Sequence, residues 1–511
     1  MTASSRRSAR LCALFTLCFS LLAHGYRYLS MGFSGDAMLL TQEGEAAFQI
    51  ALGRFLQPVY WMIRGHITAP LTIGLFATAF LAVSAAITAQ LLGITRPLHI
   101  ALVCGAMVTN ETLAASNATY LPWTDVYALS LMLSLLGVYV FSRRRRGWLL
   151  SPLFFCLSLG LYQSYITSAA TLFILLLIAR TLDGERPGAI WPDGIRACVS
   201  LVAGLLLYAL VLRAVLAVTG TQASNEYNGV GRVSFLTADK IPALVLEAYC
   251  TPLVFLFDLS AEPVMPWHAA LIPGFLHAAL CIAAAPMLLA GARRLRLLPR
   301  LTLLFLLAVL PLGMNFVQVI SEGIVSGLMI YAYFLSYALV ILLLARTPDG
   351  PPSPGTRISR LSAAAATLVL AVILCININA SNQMAVKRDL EYSATTSAMA
   401  RLIDQAEQTE GYVPGETPVV INGTLPTSSI SMVRSGFEEI SLHQGMRYTY
   451  AASYEDATRW YLQMALGEPL CLIDPSEPLT KAQQAALDAM PAFPLEGCCR
   501  MVEGCLIIKI S

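Results

Sequence analysis

The chain has 511 residues, 57% of them hydrophobic and 13% charged, with a mean hydropathy of +0.66. That composition excludes an ordinary soluble domain and describes a polytopic membrane protein. The formal net charge of +2, with basic residues in short clusters between apolar runs, argues against a nucleic-acid partner.

Apolar stretches of roughly 18 to 25 residues, enough to cross a bilayer core of about 30 Å as helices, recur through the first three quarters of the chain; about eleven are expected. The first, residues 11 to 31, follows Arg6, Arg7 and Arg10 and ends in Tyr26, Arg27 and Tyr28, which read as an interfacial belt. No small-residue cleavage site follows convincingly, so it reads as a signal anchor. The others are expected near 68–92, 98–117, 122–141, 148–163, 165–180, 196–219, 265–291, 301–320, 326–345 and 361–381. Arg96, Arg143 to Arg146, Arg180, Arg186, Arg196, Arg293 to Arg300 and Arg346 to Arg360 then share one side, which the positive-inside rule makes cytoplasmic. The N-terminus is therefore expected inside and everything past residue 382 outside. Residues 241 to 262 are apolar but carry Glu247 and Asp258, and counting them as a crossing would break the alternation. They are expected to lie along or re-enter the outer interface.

Polar residues gather in the outer loops. The first carries Asp36, Glu43, Glu45 and Gly53-Arg54, and acids beside a bilayer are expensive unless solvated or used. The second carries Asn110-Glu111, Asn117, Tyr120, Pro122-Trp123 and Asp125, where Asp125 either starts a helix or does chemistry. In the third, Tyr162, Gln163 and Tyr165 suit sugar hydroxyls, and equally suit helix pairing with an aromatic belt. Asn225, Tyr227 and Arg232 lie in a long outer loop of amides, hydroxyls and glycines, a mixture that any flexible loop shares. Glu322, alone in a Ser-Glu-Gly turn between spans, points to a cavity.

From residue 383 to 511 the composition turns ordinary. A helix over 384–408, a strand at 417–423, a helix at 454–465, a strand at 470–474, a helix at 480–490 and a strand at 505–511 predict a small α/β domain of about 100 residues. Cys471, Cys498, Cys499 and Cys505 fall in this outer part, where disulfides are expected in preference to a metal site lacking His at ligand spacing.

An acidic first loop ending in Gly53-Arg54-Phe55, then Asn117-Ala118-Thr119-Tyr120 leading to Asp125, then Leu161-Tyr162-Gln163-Ser164, occur in an order that resembles the Gtr type II bacterial glucosyltransferases. Asn382-Gln383, Lys387-Arg388-Asp389, Phe493-Pro494-Leu495-Glu496-Gly497 and Leu506 to Lys509 extend the resemblance over nearly the whole chain. It implies a mainly α membrane glycosyltransferase of GT-C-like fold (residues 1–382), followed by a soluble periplasmic helix and small α/β domain (383–511), in the bacterial inner membrane. The implied donor is a polyprenyl phosphate sugar with glucose as the expected hexose. The implied acceptor is an O-antigen, lipopolysaccharide or related lipid-linked glycan, and a separate donor flippase would be a partner.

On that reading Asp36 is the general base, Asp125 and Glu322 share its cavity, and Arg54 and Arg232 meet the donor phosphate. Glu43, Glu45, Glu111, Asn117, Tyr120, Tyr162, Gln163, Tyr165, Asn225 and Tyr227 are the sugar- or acceptor-binding candidates. A Mg2+ or Mn2+ ion on Asp36 and Asp125 is a competing way to neutralise the phosphate, weakened because Gly35, not a second acid, precedes Asp36. A transporter or flippase of a lipid-linked sugar is the alternative from another class. It predicts internal repeats and mid-span charges, and no convincing repeat is visible.

Overall fold

A computed structural model of the chain describes residues 3–35, 37, 45–224, 240–260, 270–321, 323, 325–347, 354–425, 440, 452, 455–473 and 477–511. The chain is mainly helical. Its helices are α1 (Ala3–Leu29), α2 (Glu45–Ala51), α3 (Leu56–Arg64), α4 (Pro70–Leu91), α5 (Pro97–Val108), α6 (Glu111–Thr119), α7 (Leu121–Arg143), α8 (Gly147–Leu161), α9 (Ile166–Leu182), α10 (Pro187–Thr219), α11 (Ile241–Phe257), α12 (Gly274–Arg293), α13 (Leu297–Asn315), α14 (Val317–Ile320), α15 (Tyr331–Leu335), α16 (Tyr337–Ala345) and α17 (Pro354–Glu407). Proline at the first turn of α4, α5, α7 and α10 marks their starts, where its missing N–H costs nothing.

Among the described residues eight helices are long and apolar enough to cross a membrane, or nine if α5 and α6, bent by 45°, form one span. The expected eleven are not reached by this measure, because helices 147–161 and 331–345 are each too short alone. The expected interfacial segment forms α11, which packs on α13 and α14.

The break between α5 and α6 shows how polar backbone is kept satisfied at depth. Asn110 caps α6 by accepting from Leu113 N at 3.2 Å, while its amide donates to the Ala106 and Met107 carbonyls. Tyr331 OH donates to Met107 O at 2.8 Å and His24 Nε2 to Val108 O at 2.9 Å. The Ala106, Met107 and Val108 carbonyls freed by the bend thus find donors, as a low-dielectric interior requires. Elsewhere small residues let helices close up: Ser130 and Ser158 exchange hydroxyl-to-carbonyl bonds of 2.9 and 2.8 Å between α7 and α8, and Gly137 admits the Phe155 ring.

Helix α17 has 54 residues, about 81 Å at 1.5 Å per residue. It runs unbroken through position 382, so its far half belongs to the C-terminal domain. That domain contains β1 (Pro418–Asn422), α18 (Glu455–Trp460), β2 (Cys471–Leu472), α19 (Lys481–Ala489), β3 (Cys499–Val502) and β4 (Cys505–Lys509). The sheet order is β2-β1-β4-β3, with β1 parallel to β2 and β4 and β3 antiparallel to β4. Leu506 and Ile508 pack with Met399 and Leu402 of α17, and Ile507 with Leu487 of α19, so alternate β4 residues serve opposite faces. A capping box of Thr480 and Gln483 starts α19. Strand β3 was not anticipated, because its polar Arg500 and the Glu503-Gly504 turn hide it.

The expected disulfides are a correction: all twelve cysteines are free. The sheet register explains why. Cys471 pairs with Pro418 on β1, and β1 separates it from β4, so it is about 9.6 Å from the strand of Cys505. Cys499 and Cys505 sit three positions out of step on β3 and β4, about 10 Å apart along the strand. Both separations exceed the roughly 7 Å Cα limit for a bridge.

Candidate active site

The chain leaving α1 is fixed against α6 and α17. Gly32 lies on the α17 backbone, where a Cβ would come within 3.0 Å of Asp389 Cα and N. Phe33 sets its ring edge-on to Tyr392 and packs against the core of the C-terminal domain. The Ser34 hydroxyl donates to Thr119 O at 2.5 Å, and Ala37 N donates to Ser34 O at 3.0 Å. Asp36 itself lies outside the described residues, as do Glu43, Asn225, Tyr227, Arg232 and Glu322. Its chain neighbours are nevertheless held at the end of the bundle where the C-terminal domain sits.

The remainder of the first loop folds into α2 and α3. Glu45 Oε1 accepts from the Gln49 amide at 2.7 Å, and Gln49 Oε1 accepts from Arg54 Nη1 at 3.1 Å. The Arg54 guanidinium lies 5.0 Å over the Tyr162 ring, and its buried Nε has no hydrogen-bond partner. Arg54 is placed by the turn before it: Gln163 donates to Leu52 O at 2.7 Å, Tyr208 OH donates to Gly53 O at 3.1 Å, and Gly53 adopts φ +80°. That backbone favours glycine, and Tyr208 and Gln163 leave no room for a Cβ. Tyr127, Tyr162, Tyr165 and Tyr331 form a chain of ring contacts beneath Arg54, between 4.5 and 6.4 Å apart.

Helix α3 presents Gln57, Tyr60 and Arg64 on one face, three or four residues apart. Gln57 donates to Leu161 O at 2.7 Å, Tyr60 OH to Asp125 Oδ2 at 2.9 Å, and Arg64 Nη1 to Asp125 Oδ1 at 3.0 Å and Pro122 O at 2.9 Å. The Arg64 and Asp125 side chains are 1% and 0% exposed. Burial, then the Asp125 carboxylate, push the Tyr60 phenol well above its ordinary range, so it stays a donor. Asp125 therefore ties α3 to the head of α7, with both oxygens engaged. Tyr120 lies against Trp123 in the preceding turn, with ring centroids 6.4 Å apart.

Glu111 accepts from the backbone N–H groups of Leu271 and Ile272 at 2.9 and 3.2 Å, at the opposite end of α6 from Asn117. The Asn117 carbonyl accepts from Arg27 Nε at 2.9 Å, and its side-chain oxygen has no partner. No group of three or more His, Cys, Asp or Glu capable of holding a metal occurs among the described residues. A divalent ion on Asp125 would also sit beside the Arg64 guanidinium. The described residues therefore do not fit Mg2+ or Mn2+.

Sequence reasoning missed Arg64, Tyr60, Glu391 and the importance of Arg27. A signal existed for one of them: Glu391 stands four residues after Lys387, the spacing of a helical ion pair. Arg27, in the last turn of an apolar helix, reads in the sequence as part of an interfacial belt.

With this geometry in place, the sequence profile of the family Glucosyl transferase GtrII matches residues 26–344. The chain belongs to the GtrII glucosyl transferase family. Neither a curated protein nor a solved structure matches it. The GtrII match covers both α3 and the head of α7 and begins at Tyr26, one residue before Arg27. A member of this family with membrane-spanning helices is a glycosyltransferase that works in a bilayer on a sugar donor and an acceptor.

Proposed function

We propose that this GtrII protein transfers glucose from a polyprenyl phosphate glucose to a hydroxyl of a bacterial surface glycan, on the periplasmic side of the inner membrane. The observation that carries this reading is the fixing of residues 32–34 between the end of α6 and α17 at the edge of the bundle, two positions before Asp36. A carboxylate carried there meets both a lipid-borne donor and a water-borne acceptor.

Asp36 takes the proton of the incoming hydroxyl as its oxygen bonds to the anomeric carbon. The bond from that carbon to the phosphate oxygen breaks, and polyprenyl phosphate departs with the electron pair. A single base on one face of the sugar is consistent with inversion. Arg54, held by Gln49 and the Tyr162 ring, offers a cation to the departing phosphate. Asp125 holds Arg64 and Tyr60 so that α3 follows Arg54 in a fixed direction, which gives it a positioning role. The C-terminal domain, joined to the first loop through Phe33, lies where an acceptor glycan would arrive.

Purified protein given a polyprenyl phosphate glucose and a lipid-linked acceptor glycan is expected to form a glycosidic product, with Asp36→Asn at least 100-fold slower, a typical loss for a missing general base. Transfer by Asp36→Asn at the wild-type rate would remove Asp36 from this role. Movement of the lipid across vesicles without product would replace the enzyme reading by a flippase.

A further inference from the structure

Four consecutive arginines close α7, and they do different work. Arg143, its last residue, is committed to the protein: the guanidinium lies 5.9 Å over the Tyr139 ring, and Nη2 donates to Gln90 O at 3.3 Å in the last turn of α4. Arg144, Arg145 and Arg146 are exposed, and none of them makes an ion pair or side-chain hydrogen bond among the described residues. Other arginines near helix ends are matched by acids. Arg180 pairs with Glu185 and Asp193, Arg196 with Asp193, and Arg346 with Asp183 through bonds of 2.8 and 2.7 Å.

With Leu150, Arg144 to Arg146 line an open cleft of about 600 Å3. The turn that presents them is held in one shape. Arg144 N donates to Val140 O at 3.1 Å, Gly147 N to Arg144 O at 2.9 Å and Leu149 N to Arg146 O at 3.1 Å. A Cβ at Gly147 would come 2.0 Å from Val140 O, so glycine lets the first turn of α8 lie against the last turn of α7. Ser200 of α10 donates to Trp148 O at 2.8 Å and ties that first turn to a third helix.

The depth of the cleft and its apolar wall indicate the ligand. Helix α7 is long and apolar enough to cross a membrane, and Arg143 is its final residue. The cleft therefore opens where hydrocarbon gives way to headgroups, at the far end of α7 from Asp125. Leu150 continues into an apolar face of α8 with Leu149 and Leu153, each more than half exposed. A soluble anion would use the arginines and leave these leucines bare, whereas a phospholipid uses both. Basic pockets between helices at this depth bind anionic headgroups, and three cations favour a net negative headgroup over a zwitterionic one.

We propose that Arg144, Arg145, Arg146 and Leu150 form a binding site for an anionic glycerophospholipid, with the arginines on the headgroup phosphate and the leucine face of α8 along an acyl chain. This site is separate from the transfer chemistry and does not depend on it.

Full-length protein in detergent is titrated with dioleoyl phosphatidylglycerol, with dioleoyl phosphatidylethanolamine and with glycerol 3-phosphate, and complexes are counted by native mass spectrometry. Phosphatidylglycerol is expected to bind about tenfold or more tightly than either of the others. The triple change Arg144→Gln, Arg145→Gln and Arg146→Gln is expected to lose about 100-fold, at about fivefold for each arginine beside an anionic headgroup. Leu150→Glu keeps every arginine, and with them the insertion signal, and is expected to lose about tenfold or more by setting an acid in the cleft. The control Arg293→Gln, Arg294→Gln and Arg296→Gln removes the same charge from another exposed run and is expected to keep wild-type affinity. Equal losses in the two triple variants would replace the site by diffuse attraction. Wild-type affinity in folded Leu150→Glu or in the folded Arg144 to Arg146 variant, or equal binding of phosphatidylethanolamine, would overturn it. Glycerol 3-phosphate binding as tightly as the lipid would overturn the lipid assignment.

Discussion

At Asp125 the structure turns a candidate acid into a support. Its carboxylate is shared by Tyr60 and Arg64 in a place where water does not reach, and losing one partner of such a pair strands the other. Asp125→Asn is expected to cost about 3–5 kcal/mol, the usual penalty for an uncompensated buried charge. A lowered melting temperature of the detergent-purified protein would show it, and the double change Arg64→Met with Asp125→Leu should recover most of the loss. Full stability in Asp125→Asn would mean that Arg64 has another partner.

Residue-scale chemistry also separates the cysteines of the C-terminal domain. Burial pushes the thiols of Cys498, Cys499 and Cys505 up from their ordinary value, whereas Cys471 is exposed. At pH 7.5 maleimide is expected to modify Cys471 and spare the other three, read by peptide mass mapping. The sign of the pH effect follows. Below pH 9 these thiols are protonated whether the domain is folded or not, and above it only the unfolded chain releases their protons. The domain should therefore melt earlier at pH 10 than at pH 8, and Cys499 labelling as fast as Cys471 would contradict the burial.

At the scale of elements, glycines mark where helices touch. A Cβ at Gly137 of α7 would land 2.4 Å from the Phe155 ring of α8, and Phe155 is fully buried with little room to move. Gly137→Val is expected to destabilise by about 1–3 kcal/mol through overpacking, measured by thermal unfolding. An unchanged melting temperature would show that α8 can slide. Such contacts explain what could be read beforehand. The apolar length and first-turn prolines of α4 and α7 state where those helices run, and the short, largely β-branched apolar runs Val419 to Ile421 and Leu506 to Ile508 state that they are strands. Nothing in a linear pattern says that Tyr60 and Arg64 will find Asp125 sixty residues later, because that pairing exists only after α3 folds back onto α7. The mirror failure occurred at the cysteines, where compartment and number suggested bridges that strand register forbids.

For the whole molecule, the positive-inside rule applied to the arginine clusters predicts the orientation, and Arg144 to Arg146 line an open cleft at the turn between α7 and α8. With the exposed Cys471 replaced by serine, a cysteine replacing Gln484 in the C-terminal domain should react with a membrane-impermeant maleimide added to spheroplasts. One replacing Arg145 in the same background should react only after the membrane is opened. The reverse pattern would invert the molecule and move Asp36 to the cytoplasm. The membrane class and the terminal domain were legible because bulk hydropathy and composition report them directly. The joining of the two through Phe33 and Tyr392 was not, because those residues stand more than 350 positions apart.

The packing of α1 on α17 also governs how the protein is born. Tyr26 enters the membrane at the beginning of synthesis, yet Asp389, which accepts from its hydroxyl, emerges from the ribosome some 360 residues later. At translation rates of about 5–20 residues per second, the outer end of the first helix waits tens of seconds for the α17 residues it packs against. An early helix in that state is a natural client for an insertion chaperone and a natural target for a membrane protease. Slowing translation between α1 and α17 should therefore lower the yield of this protein without altering its sequence.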